Sequence, residues 1–308
     1  MIWEETILVG WKLGEKRSKE VFWEALFVFP QLLFFVTFTI LPFIIAIPII
    51  FTDRSDFLDQ TVKFVGMKNL VMIFSEPFFS DFWEALKRTV NFTILNYLMI
   101  YIIGLSLALI MFEYTTKLKR FFFTIIYMPY MISGIGAGML LTMLFSKDSG
   151  NINLLLTTFG IISEPLDIQT KGVVRYALPF ITGWRYAGVN LAFFLNGLLS
   201  IPHDTLEASV LDGANYFKKL IHIYLPQIIP SIVMASVTCL IGSFNMIDEL
   251  FGLGATYGNQ NAVFLSVLAF QKGFQGSMAQ SVAMMLVVYT PLIIVAFLLI
   301  QWQKTQQY

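Results

Sequence analysis

Six runs of apolar residues, at about 25–51, 90–112, 121–145, 176–199, 228–250 and 277–300, constrain this 308-residue chain more than any other feature of it. A helix needs roughly 20 mainly apolar residues to cross a bilayer, because hydrocarbon offers no partner to an open backbone N–H or C=O. Each run meets that length. The expected fold is therefore all-α, a polytopic membrane protein with six transmembrane helices. The first run is too long for the apolar stretch of a cleavable signal peptide and is expected to stay as a span. An even number of spans puts both termini on one side.

The sidedness follows from the cations. The tight connector 115–120 carries Lys117, Lys119 and Arg120 with no acid, and on the same side fall Lys12, Lys16, Arg17, Lys19, Lys218, Lys219 and Lys304. The cations of the opposite side lie in longer loops among Asp53, Asp56, Asp59, Asp81, Asp148 and Asp167. Both termini are thus expected in the cytosol. Twenty Lys and Arg offset twenty Asp and Glu, so net charge points to no nucleic acid. One cysteine, Cys239, forms no intrachain disulfide, and two histidines without a cysteine cluster argue against a structural metal site. Outside the spans, 64–86 has apolar positions at helical spacing broken by Pro77, and 153–162 reads as a short helix after the turn Asp148-Ser149-Gly150.

The segment 201–226 between the fourth and fifth runs reads as two short helices about a glycine. Asp204 suits an N-cap, with Glu207 three residues on in a capping-box pattern. Gly213 can take the positive φ that ends a helix. Phe217, Leu220, Ile221 and Tyr224 then share one helical face, with Lys218, Lys219 and His222 elsewhere, and Pro226 closes the second helix. A helix pair with one apolar and one charged face, projecting from a membrane, is suited to dock a soluble partner.

Glu207-Ala208-Ser209, then Asp212-Gly213-Ala214, then Ile223-Tyr224-Leu225-Pro226 resembles the EAA loop of ABC importer permeases, the segment that couples to a cytosolic ATPase. The flanks resemble the maltose-type, carbohydrate branch: Trp184-Arg185, Gly188, Asn190, Gly197-Leu198 and Ile201-Pro202 before the loop, and Gly242-Ser243-Phe244-Asn245 with Asp248 after it. Leu41-Pro42, Phe64-Val65-Gly66 with Asn69, and Met128-Pro129-Tyr130 extend the likeness over nearly the whole chain. A Gly-Gly-Pro usual after the fifth span is replaced by Gly254-Ala255-Thr256-Tyr257-Gly258.

The resemblance implies a type I importer permease fold: a cytosolic segment 1–24, a permease domain 25–301 with its coupling loop at 200–226, and a cytosolic tail 302–308. It implies a multi-pass protein of the bacterial inner membrane that forms the path for a sugar or oligosaccharide. The implied partners are a homologous second permease subunit, two cytosolic ATP-binding subunits and an extracellular or periplasmic solute-binding protein. ATP and Mg belong to those ATPases, and no cofactor is expected in this chain. The chain indeed has no Gly-x-x-x-x-Gly-Lys-Ser/Thr phosphate loop. Glu207, Ala208, Ser209, Asp212, Gly213, Ala214, Ile223, Leu225 and Pro226 are the expected coupling residues. Gly188, Asn190, Phe244, Asn245 and Asp248 are the expected substrate path.

Polar groups within the runs, namely Arg185, Asn190, Asn196, Ser243, Asn245, Asp248 and Glu249, are candidates for function or for joining helices. An amide beside an aromatic, as in Phe244-Asn245, suits a sugar's hydroxyls and ring face. Arg185 and Asp248 could instead pair across the fourth and fifth spans. The small residues Ser133-Gly134-Ile135-Gly136-Ala137-Gly138 suit either a close contact with the sister subunit or a kink near Pro129. Three rival readings remain: the same machinery for a non-sugar solute, an ion-coupled secondary carrier, and a membrane-embedded enzyme. A carrier would have no use for the coupling loop. No Ser-His-Asp or paired-carboxylate set lies at a plausible depth for the enzyme.

Overall fold

The computed structural model describes residues 21, 23–56, 58, 59, 61–114, 117–168, 171–256 and 258–305. Lys12, Lys16, Arg17, Lys19, Thr115, Thr116 and Tyr257 lie outside the described residues. The described chain is helical, with a single isolated antiparallel bridge between Thr52 and Phe64.

Helix α1 (Trp23–Ile49) is apolar and exposed along almost its whole length. It passes through a π turn at Val36–Ile40, in which the Leu41 N–H reaches back to the Val36 carbonyl. The next residue, Pro42, has no N–H to donate, and one extra residue in the turn before it lets the helix run on past the proline. Beyond α1, buried Asn69 on α2 (Lys68–Ile73) donates 2.7 Å hydrogen bonds to the carbonyls of Ile50 and Thr52, tying the returning loop to the end of α1.

Helix α3 (Phe78–Glu113) begins directly after Pro77 and runs on through a π turn at Ile100–Leu105. The second apolar run and the helical part of 64–86 after Pro77 are thus one continuous helix. The third run is instead two helices, α4 (Lys119–Met131) and α5 (Gly134–Leu144), bent by 89°. The break falls at Ile132-Ser133, where the Ser133 side chain caps α5 by accepting from the Gly136 N–H at 3.1 Å. After it, α6 (Asn151–Thr158) starts two residues earlier than expected, held by buried Asn153, whose amide bonds Ser146 and Leu166.

Helix α7 (Lys171–Leu199) leads into the segment expected to couple, α8 (His203–Leu211) and α9 (Tyr216–Gln227). A bend of 67° separates α9 from α10 (Ile229–Asn245). The fifth run breaks again at Met246-Ile247 before the short α11 (Asp248–Gly252), and the Ser266 hydroxyl donates to the freed Met246 carbonyl. Helices α12 (Leu265–Phe274) and α13 (Met278–Thr305) complete the chain, so the last helix continues into the expected tail as far as Thr305.

Helices α1, α3 and α13 are each long and apolar enough to cross a membrane, and the bent pairs α4/α5 and α9/α10 also qualify if each is one span. The expected six spans are thus present as three clear ones and up to five. The fourth run is helical within α7, a helix that contains Arg175, Thr182, Arg185 and Asn190. At 1.5 Å per residue its 29 residues reach about 43 Å.

Helices α3, α7 and α10 pack on one another and carry two separate apolar clusters. One contains Phe82, Phe92, Leu178, Ile181, Phe244 and Leu268. The other contains Ile100, Leu191, Phe194, Leu198, Tyr224 and Ile228. On α3 the first ends at Phe92 and the second begins at Ile100; on α7 the corresponding residues are Ile181 and Leu191. Between these levels fall the polar residues Asn96, Thr182, Arg185 and Asn190.

Candidate functional site: a polar layer and a coupling segment

Asn96 stands one helical turn from both Phe92 and Ile100, so it occupies the gap between the two clusters. Its amide accepts from Thr182 Oγ1 at 3.3 Å and donates to Ser243 Oγ and Cys239 Sγ at 3.5 Å, linking α3, α7 and α10. One turn further, the Tyr97 hydroxyl donates to the Ser236 carbonyl and the Tyr101 hydroxyl meets Ser236 Oγ, both at 2.6 Å. These bonds satisfy polar groups that hydrocarbon would leave open. Around them is a cavity of about 450 Å³, reaching from Asn96 and Thr182 to Tyr130, Tyr186, Asn190, Asn245 and Asp248.

Arg185 enters this cavity from α7 and forms an ion pair with Glu249 of α11, both side chains being at most 10% exposed. The partner is Glu249 and not Asp248. Asp248 is exposed on the next position of the same short helix, and only one of two adjacent helical residues can face α7. Arg185 Nε also donates to the Ile132 carbonyl at 2.7 Å, and the guanidinium lies 5.0 Å from the Tyr186 ring centre. The arginine therefore fastens α11 and the break between α4 and α5 to α7 at once. Satisfying several donors together is what makes a buried charge tolerable.

The expected path residues separate on this frame. Asn190, Asn245 and Asp248 line the cavity. Asn190 is buried and donates to the Tyr186 carbonyl at 3.0 Å, while Asn245 is exposed and its Oδ1 accepts from the Tyr289 hydroxyl at 3.2 Å. Phe244 is buried in the first apolar cluster, turned away from its neighbour Asn245. Gly188 lies where α7 meets the backbone of α4: a Cβ there would stand 2.8 Å from the Ile126 carbonyl oxygen and overlap Tyr127. Asn196 is exposed elsewhere on α7.

The small residues of α5 meet α11 of the same chain. A Cβ on Gly138 would stand 2.8 Å from the Gly252 Cα, and one on Gly134 would be 3.1 Å from Glu249 Cδ. Both expectations for that stretch thus have a structural counterpart in part: there is a close approach, but an internal one, and a sharp bend just before it. Asn96, Thr182, Tyr130 and Tyr186 join the cavity without having been expected in the substrate path. Asn96 and Thr182 are polar residues inside apolar runs, and that signal was available for both.

In the expected coupling segment, α8 starts at His203 with Pro202 before it and no side-chain cap, so Asp204 sits in the first turn and the expected capping box does not form. Its other end does follow the expectation. Gly213 has φ +66°, the Ala214 N–H bonds the Ser209 carbonyl at 3.0 Å and the Gly213 N–H bonds the Val210 carbonyl at 3.1 Å, a Schellman stop. Asn215 then caps α9, accepting from the Lys218 N–H at 2.9 Å.

A π turn at Leu220–Tyr224 precedes Leu225-Pro226, as one precedes Leu41-Pro42 in α1, and the helix ends one residue beyond Pro226. This extra residue splits the expected apolar face. Tyr224 is buried, its hydroxyl donating to Glu113 Oε1 at 2.6 Å and its ring meeting Phe112 edge-on, whereas Phe217 and Ile221 are exposed. Glu207, Ala208, Asp212, Gly213 and Pro226 are also exposed; Ala214, Ile223 and Leu225 are half-buried and Ser209 is buried. Between α8 and α9 is an open cleft lined by Ala208, Ser209, Asp212, Ala214, Lys218 and Ile223.

The model of the family described as "binding-protein-dependent transport system inner membrane component" matches residues 100–305. A probable permease protein for starch degradation products of Thermoanaerobacterium thermosulfurigenes is 28% identical over 295 residues, 95% of this chain and 97% of that protein. The arabinooligosaccharides permease protein of Bacillus subtilis (strain 168) is 28% identical across 74% of this chain and 71% of its own length. The sn-glycerol-3-phosphate permease protein of Escherichia coli O157:H7 is 28% identical across 73% of this chain and 77% of its own. The fold is shared with a bacterial ABC transporter that imports the acidic polysaccharide alginate, at a TM-score of 0.78 and 20% identity, covering 96% of this chain and 99% of that one.

Proposed function

The chain belongs to the family of binding-protein-dependent transport system inner membrane components, and from that premise we propose that the polar layer between its two apolar clusters is the path of a sugar or oligosaccharide. One observation carries the reading. The cavity that holds Asn96, Thr182, Asn190 and Asn245 is walled by α7 and α10, the two helices on either side of the coupling segment. Hydroxyl-matching amides and tyrosines in an otherwise apolar wall suit a neutral polar solute. A push on α8 and α9 would tilt that wall as a body.

The chain crosses the bacterial inner membrane six times, α7 supplying the span that its charged residues disguise, and both termini face the cytosol. The exposed Glu207, Ala208, Asp212 and Gly213, with the cleft around Ser209 and Ala214, meet a cytosolic ATPase. The half-buried Ile223 and Leu225 and the exposed Pro226 pass its movement to α10. The ATPases bind ATP and Mg; a homologous permease and a solute-binding protein, of the kind seen in the alginate transporter complex, complete the assembly. Two of the three relatives above transport saccharides, and the third, a glycerol-3-phosphate permease, favours a second reading in which the solute is a non-sugar phosphate.

Proteoliposomes containing the chain, its sister permease, ATPases and solute-binding protein would be offered labelled maltotriose, arabinotriose and glycerol 3-phosphate. ATP-dependent entry of a saccharide is expected; entry of glycerol 3-phosphate alone would move the assignment to the second reading. With Cys239→Ser as background, Lys218→Cys is expected to react with an impermeant maleimide from the cytosolic face. Labelling from the outer face would overturn the topology.

A further inference from the structure

A second cavity, of about 290 Å³, lies between α3 and α7, with Asn261 and Phe264 closing it. Its charged wall holds Lys87, Arg88 and Arg175 against a single carboxylate, Glu84. Glu84 takes Lys87 at 3.0 Å and Arg88 at 3.9 Å, which leaves the wall with an excess of positive charge. The guanidiniums are aimed by neutral groups: Arg175 Nε donates to Asn91 Oδ1 at 2.9 Å and Arg88 Nη1 to the Val263 carbonyl at 3.2 Å. Arg88 Nε is buried and has no hydrogen-bond partner among the described residues. That guanidinium is short of acceptors, and an anion in the cavity would add a charge-assisted contact on the part of it that faces the cavity.

Phe92 belongs to the walls of both cavities. Arg88, Phe92 and Asn96 follow one another at one-turn spacing on α3, placing the charged level and the amide level about 12 Å apart along that helix. In the inner cavity the one arginine, Arg185, is already paired with Glu249. The demand for an anion therefore sits at the Arg88 level and the capacity for hydroxyls at the Asn96 level.

Resting on the transport reading above, we propose that this cavity is an anion subsite that holds a carboxylate or phosphate of the transported solute while its neutral part reaches the amide layer. A lipid headgroup could offer the same phosphate, but the position of this cavity two turns from the amide layer on α3, with Phe92 common to both walls, favours a solute that bridges the two levels.

The assembled transporter in phosphatidylcholine nanodiscs would be titrated with digalacturonate, with its neutral methyl ester and with sn-glycerol 3-phosphate. An anionic probe is expected to bind at least about tenfold more tightly than the ester, as one charge-assisted contact provides. Arg88→Gln and Arg175→Gln should each reduce that preference and leave ester binding unchanged. Lys87→Gln, at an exposed position where the fold has little at stake, should weaken it as well. Equal binding of acid and ester, or a preference that survives all three substitutions, would overturn the subsite. Competition by added phosphatidylglycerol but by neither soluble anion would assign the cavity to lipid and overturn it too. A complex that prefers the acid yet moves no solute would instead sink the transport reading and leave the subsite standing.

Discussion

Arg185 and Glu249, 64 positions apart, form a buried ion pair between α7 and α11 in the wall of the polar cavity. A pair of this kind costs desolvation on both sides, and removing one partner leaves the other charge stranded. Glu249→Gln or Arg185→Gln is therefore expected to destabilise the chain by about 3 kcal/mol or more. The double substitution Arg185→Met with Glu249→Leu should recover much of that loss. Thermal unfolding of the purified protein in detergent, arranged as a double-mutant cycle, checks it; single and double variants of equal stability would show that the pair does not hold α11 in place.

Two glycines on neighbouring helices should respond in opposite ways to the same change. Gly188 faces the α4 backbone, where a Cβ has no room, so Gly188→Ala is expected to cost about 1–3 kcal/mol through forced separation of α4 and α7. Gly242 has nothing within 4 Å of the equivalent position, and Gly242→Ala on α10 should be neutral or slightly stabilising. Melting temperatures of the two variants side by side decide it.

Gly213 also has open space around its Cβ position, so its substitution is penalised through φ alone. Gly213→Val should cost about 1–2 kcal/mol and disturb the Schellman stop, whereas Gly213→Asn, which tolerates the left-handed region, should behave nearly as the parent. The readout is ATPase co-purification and ATP-driven uptake. Equal loss with Val and Asn would point to steric contact with the partner in place of backbone strain.

The Tyr224 hydroxyl ties α9, in the proposed coupling segment, to the end of α3 through Glu113. Tyr224→Phe keeps the ring against Phe112 but leaves the carboxylate without this donor, and is expected to cost about 1–2 kcal/mol. If the tie transmits movement, solute-stimulated ATP hydrolysis should fall more than basal hydrolysis does. A parallel fall in both would assign the bond to stability alone.

For the path itself, Asn245→Leu should lower uptake without preventing assembly, because Asn245 is exposed to the cavity and touches Tyr289 alone among the hydrogen-bond partners described. Asn96→Leu should lower both uptake and stability, since Asn96 links three helices. Uptake assays paired with size-exclusion profiles separate the two effects, and normal uptake by Asn245→Leu would remove it from the path.

Much of the outline was legible in the sequence because it depends on properties of short stretches. Apolar runs of sufficient length marked where helices would lie, and Gly213 marked a stop that its left-handed φ enforces. Pro226 marked the end of the second helix to within one residue, but the shared apolar face did not survive: a π turn upstream of Pro226 adds a residue, and Phe217 and Ile221 turn outward from Tyr224. Hydropathy misled at 121–145 and 228–250, where a continuous apolar run hides the breaks at Ile132-Ser133 and Met246-Ile247.

The sequence by itself determined a membrane protein with helical runs in this order and a two-helix segment about Gly213, since hydrocarbon burial and backbone conformation act residue by residue. Only the tertiary structure decided that Arg185 takes Glu249 over Asp248, that Gly138 meets Gly252 within the same chain, and that Asn96 belongs to the polar layer. Those choices depend on how distant helices cross and which faces they turn to one another. Crossing angles are fixed by packing of the whole set of side chains, and no window along the chain contains that information.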